Sequence, residues 1–552
     1  MLGRSRNRFY HRGVQSTVFG NVLDLQFTEF GKLSDTITHS RAGNATMVDS
    51  DGLIKWAPHN LLPYSEDFSN AAWTKSDVSI DSNVIVAPDG TATADKVIED
   101  GTNATHYIAQ TISYVAGQTY THAIWAQPNE RNVIQFIFTS GSFGALYANF
   151  SLVGSGSTVQ SSGVSATITK VGDWYLCTAT ATAATTSSGG LALALQDSSS
   201  AARAASYTGD GTSGLYIWGA HVYRSDLGGM APVPGAATGF ETYVPTNGSA
   251  EYLPRVGHHV YDTTTSAWVN EGLLLESEAR TNLLLSTATL STQSATVTAV
   301  PHTLSFTGTG TVTLSGVSTD GPLVGTGTGE NNRVNLTFTP TAGTLTLTVS
   351  GTVSNAQLEV GSTPSSYMPS NATTQGSRAA QTLDVPPAEF GWNSSGMSFA
   401  MEGRMTYTDN GTGANISGGD HQFFSISQSL TNYILHGIST SGSRTGQPIA
   451  EQRSSAQNGV SGVRISSLGG GQDFAPGVLV PYNVSARHST AGVQGANEGT
   501  ANSFTATPTD KVTLADLSNE SLEFGVKYMG TIRQFRQWNE DIGETGIEEA
   551  SS

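Results

Sequence analysis

The stretch ATITKVGDWYLCTATATA, residues 166–183, decides the fold. Gly172-Asp173 makes a tight turn, and strand-like sequence flanks it on both sides. Cys177 stands in the alternating pattern after the turn and reads as a buried thiol. It is the single cysteine of 552 residues, so one chain can build neither a disulfide framework nor a cysteine-based zinc site. Outward from this stretch, HYIAQTISY (106–114), QTYTHAIWAQ (118–127), NVIQFIFTS (132–140) and YTGDGTSGLYIWGAHVY (207–223) repeat the pattern of short strands and turns. Turn signals about every ten residues predict a β-sandwich or jelly roll.

The whole chain has the same texture. Charged residues are 13%, against about 25% in ordinary soluble proteins, and 62 glycines help fill the gap. Disorder is excluded by 37% hydrophobic residues, including 20 Phe, 18 Tyr and 8 Trp. The net charge is −18, and no lysine occurs between Lys170 and Lys511, which excludes nucleic-acid binding through a basic face. No apolar run is long enough to insert in a membrane, and the basic start MLGRSRNRFYHRG lacks the apolar region of a signal peptide. Arg4, Arg6, Arg8 and Arg12 reverse the local charge sign. They read either as a solvated start or as an arm anchoring the chain to an acidic partner.

A chain this long needs several cores. The expected class is all-β, with tandem sandwich or jelly-roll modules. Residues 1–59 form an anchoring segment, 60–255 a first sandwich, 256–281 a linker, 282–380 a smaller related sandwich and 385–552 a jelly roll. LDLQF (23–27) alternates as a strand, and RVNLTFTPTAGTLTLTVSG (333–351) reads as a hairpin turning at TPTAG. SFAMEGRMTY (398–407) puts Phe399, Met401, Met405 and Tyr407 on one face, and the final TGIEEASS has room for one helical turn.

The relation between the sandwiches is written in a repeat. TYVPTNGSAEYLPR (242–255) returns, blurred, as SYMPSNATTQGSR (366–378), and the NLL of Asn60–Leu62 returns at Asn282–Leu284. Ala220 matches Ala356, Tyr243 matches Tyr367, Pro245 matches Pro369 and Arg255 matches Arg378. Proline fixes its φ and lacks a donor, so it belongs outside a ladder; tyrosine buries its ring and needs a partner for its hydroxyl. These residues are therefore expected to form an extended clasp over the end of each module, with each arginine tying down the outgoing chain.

Catalytic constellations are not legible. The Gly-rich GTGTGE (325–330) and GGGQ (469–472) read as turns, and His258-His259 as linker residues without a third metal ligand. Glu271, Glu276 and Glu278 cluster, but sequence does not set two carboxylates across a cleft as glycan hydrolysis requires. No cofactor is implied. DSDG (49–52) and GDG (209–211) offer oxygens to Ca2+ without completing a loop signature, and plain turns explain both. Sugar binding asks less: an exposed aromatic face with amide or carboxylate neighbours. Trp73, Trp125, Tyr216, Trp218 and Trp268 are the candidates, with core packing the competing reading for Trp218 and for Trp174-Tyr175.

Taken in order, NLLPYSEDFSNAAW (60–73), PDGTATADKVIED (88–100), GDWYLCTATAT, YTGDGTSGLYIWGAHVY and TYVPTN…PR resemble a carbohydrate-binding-like sandwich that recurs in bacteriophage structural proteins. Residues 282–380 resemble a shortened relative. YMGTIRQFRQWNEDI (528–542) is similar to the closing strand of concanavalin/laminin-G jelly rolls. The resemblance implies a virion-surface protein, as a tail fibre or receptor-binding adhesin. It would attach to other virion proteins through its N-terminus, bind host polysaccharide without catalysis, and assemble as a homotrimer. A capsid decoration or head fibre, a glycan depolymerase and a pure spacer remain as alternatives.

Overall fold

The computed structural model describes residues 23–28, 37–233, 235–408, 421–440, 445–454, 474–502, 514–525 and 527–552, with the backbone of 463–464 and 505–506. Arg4, Arg6, Arg8, Arg12 and the GGGQ segment lie outside the described residues. Strand makes up 51% and helix 4%, in many antiparallel sheets with no closed barrel among the described residues, so the protein is all-β. It divides into two units: Lys55–Leu253, and a second built from Met1–Ile54 with Pro254–Ser552.

Lys55–Leu253 is a sandwich of two six-stranded sheets. In the second sheet, Ser165–Val171 and Trp174–Thr182 pair around the Gly172-Asp173 turn, with Val171 opposite Trp174. Gly172 sits at φ +62°, a conformation that costs glycine little. Alternation then sends Tyr175, Cys177, Ala179 and Ala181 into the core between the sheets. Cys177 is fully buried, and burial pushes its thiol pKa up, so it is an inert core residue.

The second unit holds two double-sheet bodies. Around residues 293–360, a four-stranded sheet faces a three-stranded one. The hairpin expected at 333–351 does not form. Its strands exist, but Val334–Phe338 pairs with His302–Gly308 in one sheet, while Gly343–Ser350 pairs with Gln293–Val297 and Thr311–Gly316 in the other. TPTA thus carries the chain across the core, where the Thr341 N–H donates to Val317 O (3.1 Å).

The larger body packs a nine-stranded sheet against a seven-stranded one. Phe399, Met401, Met405 and Tyr407 are all buried between them, as the alternation requires. Met529–Trp538 is a central strand of the nine, and its neighbours come from distant sequence. Leu23–Gln26 pairs along one end of it and Leu273–Glu276 along the other. Thr38–Arg41 likewise adds to Gln381–Val385. Residues 256–281 are therefore built into the large sheet rather than strung between modules. They carry the strand Leu273–Glu276 and a hairpin of His259–Asp262 with Ala267–Asn270. The C-terminal helix, Gly543–Ala550, runs eight residues instead of one turn, because Ala550 packs with Ala400 and Trp538, and Ile542 joins them. Among the described residues no helix is long and apolar enough to cross a membrane.

The repeated clasp exists twice with the same hydrogen bonds. In the first copy, Asn60 Nδ2 donates to the carbonyls of Ala220 (3.0 Å) and Val244 (2.9 Å), while its Oδ1 accepts from the N–H groups of Leu62 and Val222 (both 3.1 Å). In the second, Asn282 Nδ2 donates to Ala356 O (2.9 Å) and Met368 O (3.0 Å), and its Oδ1 accepts from Leu284 N (3.2 Å) and Leu358 N (3.1 Å). The Tyr243 hydroxyl meets Ser65 Oγ at 2.9 Å, and that of Tyr367 meets Thr287 Oγ1 at 2.8 Å. Each asparagine is completely buried and satisfies four backbone groups. Asn282→Ala is expected to destabilise its unit by roughly 2–3 kcal/mol, because the orphaned groups stay buried. Asn60→Ala should do the same to Lys55–Leu253 alone. Two-transition denaturant curves check this, and a loss below about 0.5 kcal/mol, the noise of an ordinary surface change, would remove the clasp from the energetics.

Candidate functional site

The second unit places a cavity of about 280 Å3 beside the clasp of the smaller sandwich. Its inner wall is apolar and buried, with Met47, Leu274 and Met529 at 2–4% exposure. Its mouth is polar, where Thr263, Asn331 and Asn335 are exposed. Trp268 and Tyr261, facing each other across the 259–270 hairpin, supply a half-buried aromatic wall with ring centroids 5.4 Å apart. Trp268 is held from behind: Gly52, at φ +76°, lies so close that any Cβ there would collide with the indole. Here DSDG is a turn that seats a tryptophan, and Asp49 Oδ1 is occupied by the N–H groups of Asp51 and Leu53.

Arg333 stands across the cavity. It pairs with Glu330 (3.3 Å), donates to Asn355 O (3.3 Å) and Ser305 Oγ (3.1 Å), and lies 5.7 Å from the Tyr367 ring centroid. His258 closes the inner wall at 6% exposure, its Nδ1 accepting the Val48 N–H at 3.1 Å. Burial, aided by the Arg255 charge, pushes its pKa down to about 3, so the imidazole is neutral.

One flank of the cavity is an ion cluster. Glu276, 3% exposed, accepts from Ser366 N (2.8 Å) and Ser366 Oγ (2.6 Å), and pairs with Arg255 Nη1 (2.7 Å) and Arg378 Nε (3.0 Å). Arg378 Nη1 also donates to the Glu276 carbonyl at 3.1 Å, and Arg255 Nη1 to Thr46 O at 3.0 Å. Gln381 Oε1 accepts from both Arg255 and the Glu276 N–H. Burial would raise the Glu276 pKa, but Arg378, Arg255 and Ser366 outweigh it and hold the carboxyl well below the usual carboxylate range. Arg255 is pushed down to about 10 by burial, with Glu276 opposing. The two repeat-related arginines were each expected to tie down their own outgoing chain; instead both close on one glutamate. With both oxygens engaged and two guanidiniums as counter-charges, Glu276 is placed as a structural anion.

The aromatic candidates separate. Trp268 lines the cavity. Trp73, Trp125 and Trp218, at 1%, 3% and 0% exposure, offer no ring face for stacking. Trp73 packs on Phe68 and donates to Tyr64 O at 3.0 Å. Trp125 and Trp218 are cross-strand neighbours on the outer face of their sheet, where Phe240 and the clasp Tyr243 cover them. Tyr216, opposite Gln127, is half-buried. The edges of Trp125 and Trp174 still border an open groove of about 700 Å3 in Lys55–Leu253, with Gln127 and Asp173. GDG is a plain turn in which Asp210 Oδ1 accepts from Thr212 N and Ser213 N. Among the described residues no three His, Cys, Asp or Glu side chains form a set for a metal ion.

Sequence reading missed His258 and Arg333 as cavity residues, because His258 is oriented by Val48, 210 residues away, and Arg333 reaches the cavity from a different element. The hairpin's own alternation, Val260 with Val269 and Tyr261 with Trp268, was the available signal.

No family model matches the chain, and no curated protein matches it. Among solved structures, leech intramolecular trans-sialidase complexed with 2,7-anhydro-Neu5Ac is similar over 29% of this chain and 23% of that enzyme, at 14% identity and a TM-score of 0.21. A likeness this slight carries no argument about fold or function.

Proposed function

We propose that this protein is a surface-displayed adhesin that binds host glycan, carried on a bacteriophage-type particle as a fibre or receptor-binding component. The observation that carries the binding half is the cavity at Trp268. A braced, half-exposed indole faces amides and a guanidinium across a concave space, the arrangement that takes a saccharide ring on its apolar face while polar groups meet its hydroxyls. The display half rests on the resemblance of residues 60–255 to phage structural modules. Single contacts of this kind are weak, and a symmetric oligomer, with a trimer as first expectation, multiplies them through effective concentration.

The test is capture of surface polysaccharide and arrayed glycans by the full-length chain. Trp268→Ala is expected to weaken binding about tenfold, the loss of one aromatic contact worth about 1.4 kcal/mol, with the melting of Lys55–Leu253 unchanged. Failure to retain any glycan would sink the reading, and so would retention that Trp268→Ala leaves intact. Imaging labelled protein on intact particles tests display, and its absence from them would end that half.

A further inference from the structure

We infer that the Trp268 cavity selects acetylated sugars and receives the acetyl group first, with its carbonyl on His258 and its methyl among Met47, Leu274 and Met529. This rests on the glycan reading above and narrows it to a ligand class.

Val48 N–H points at His258 Nδ1, so that nitrogen is the acceptor and the neutral ring carries its proton on Nε2. The Nε2–H finds no acceptor among the described residues, although the side chain is more than nine-tenths buried and lines the cavity. Without a protein partner on the wall of an open cavity, this donor can exchange water for a ligand's acceptor. Burial keeps the ring neutral at neutral pH, and the Val48 N–H selects its tautomer.

The surroundings define what carries that acceptor. Beside His258 the inner wall is thioether and aliphatic, and it rewards a methyl-sized apolar group and penalises a hydroxyl. At the mouth, Trp268 and the exposed Asn331 and Asn335 suit a polyhydroxylated ring. A carbonyl next to a methyl, mounted on a sugar, meets all three demands. Acetamido sugars and O-acetyl sugars share this chemistry, and a plain hexose lacks it.

The experiment uses the full chain with three probes: the N-acetylglucosamine disaccharide, 6-O-acetylglucose and cellobiose. At least one acetylated probe is expected to bind about tenfold more tightly than cellobiose, and comparing the two tells nitrogen-borne from oxygen-borne acetyl. Saturation transfer should be strongest at the acetyl methyl, and the His258 Nε2–H resonance should shift on binding. His258→Phe should abolish the preference. Because that change also removes the acceptor for Val48, the two spectroscopic readouts on the unaltered chain decide the matter should the variant unfold. Equal binding of cellobiose, still lost in Trp268→Ala, overturns the acetyl inference and leaves glycan binding standing. A saturation pattern centred on ring protons with a silent His258 also overturns it. Binding of no sugar overturns both.

Discussion

Replacing Glu276 by glutamine is expected to cost the unit it belongs to on the order of 5 kcal/mol while leaving Lys55–Leu253 untouched. The carboxylate is the counter-charge of two buried guanidiniums, Arg255 and Arg378, at 2.7 and 3.0 Å. Glutamine has nearly the same shape but no charge. It would leave two like charges facing each other out of water and turn its amide NH2 toward groups that can only donate. The loss should reach the cavity, because Ser366, fixed by both Glu276 oxygens, precedes Tyr367 on its wall. A triple replacement of Arg255 and Arg378 by methionine and Glu276 by leucine removes the desolvated charges together, and much of the stability should return. Urea unfolding followed at both units measures this. A Glu276→Gln chain within about 1 kcal/mol of the parent, no more than an exposed ion pair contributes, would show that the cluster is bystander chemistry.

The cluster also shows what the sequence could disclose. The repeat of Tyr–x–Pro with a trailing Arg announced a duplicated clasp, and the tyrosine and asparagine parts of it are local enough to be read: Asn282 reaches Ala356 and Met368 within one module. Convergence of Arg255 and Arg378 on Glu276 was hidden, because it depends on Leu273–Glu276 joining a strand more than 250 residues away. The same limit turned a sheet-forming segment into an apparent linker, and a pair of strands in opposite sheets into an apparent hairpin. Alternation assigned inward residues such as Cys177 and Phe399 correctly, since one face of each strand must meet the opposing sheet. It could not say what covers the other face. Trp125 and Trp218 read as glycan candidates, with core packing the competing reading for Trp218, and both are buried by Phe240 and Tyr243, whereas Trp268 lines an open cavity.

Acid is expected to unfold the second unit well before the carboxylates alone would account for it. Four of its histidines are neutral by burial. His39, His258 and His488 are pushed down to about 3, and His436 well below its usual value. Desolvation is the first cause in each case, with Arg41 and Arg255 adding repulsion at His39, Arg255 at His258, and His488 at His436. His436 and His488 face each other at 2.8 Å between Nε2 atoms, packed against Phe399 and Phe424, so one must donate and the other accept. A second proton there would set two N–H groups head to head. Because the folded values lie below the unfolded value of about 6.5, the unfolded chain binds more protons as pH falls. The stabilisation is complete above pH 6.5 and drains away below it, at about 1.4 kcal/mol per pH unit for each histidine, or roughly 5 kcal/mol per pH unit for the four. As pH falls through and below the ordinary carboxylate range Glu276 adds to the loss, while Asp384 and Glu523, raised chiefly by burial, take up protons in the fold at the upper edge of that range and oppose it there. Lys55–Leu253 carries two such imidazoles, His122 at about 3 and His221 at about 4, and should lose stability about half as steeply. Thermal melts between pH 7.5 and 4.5 should therefore show two transitions falling at different rates, with that of the histidine-richer unit falling faster. Two melting points that move in parallel, or stay level down to pH 4.5, would mean that these imidazoles are already protonated, or solvated, in the native state.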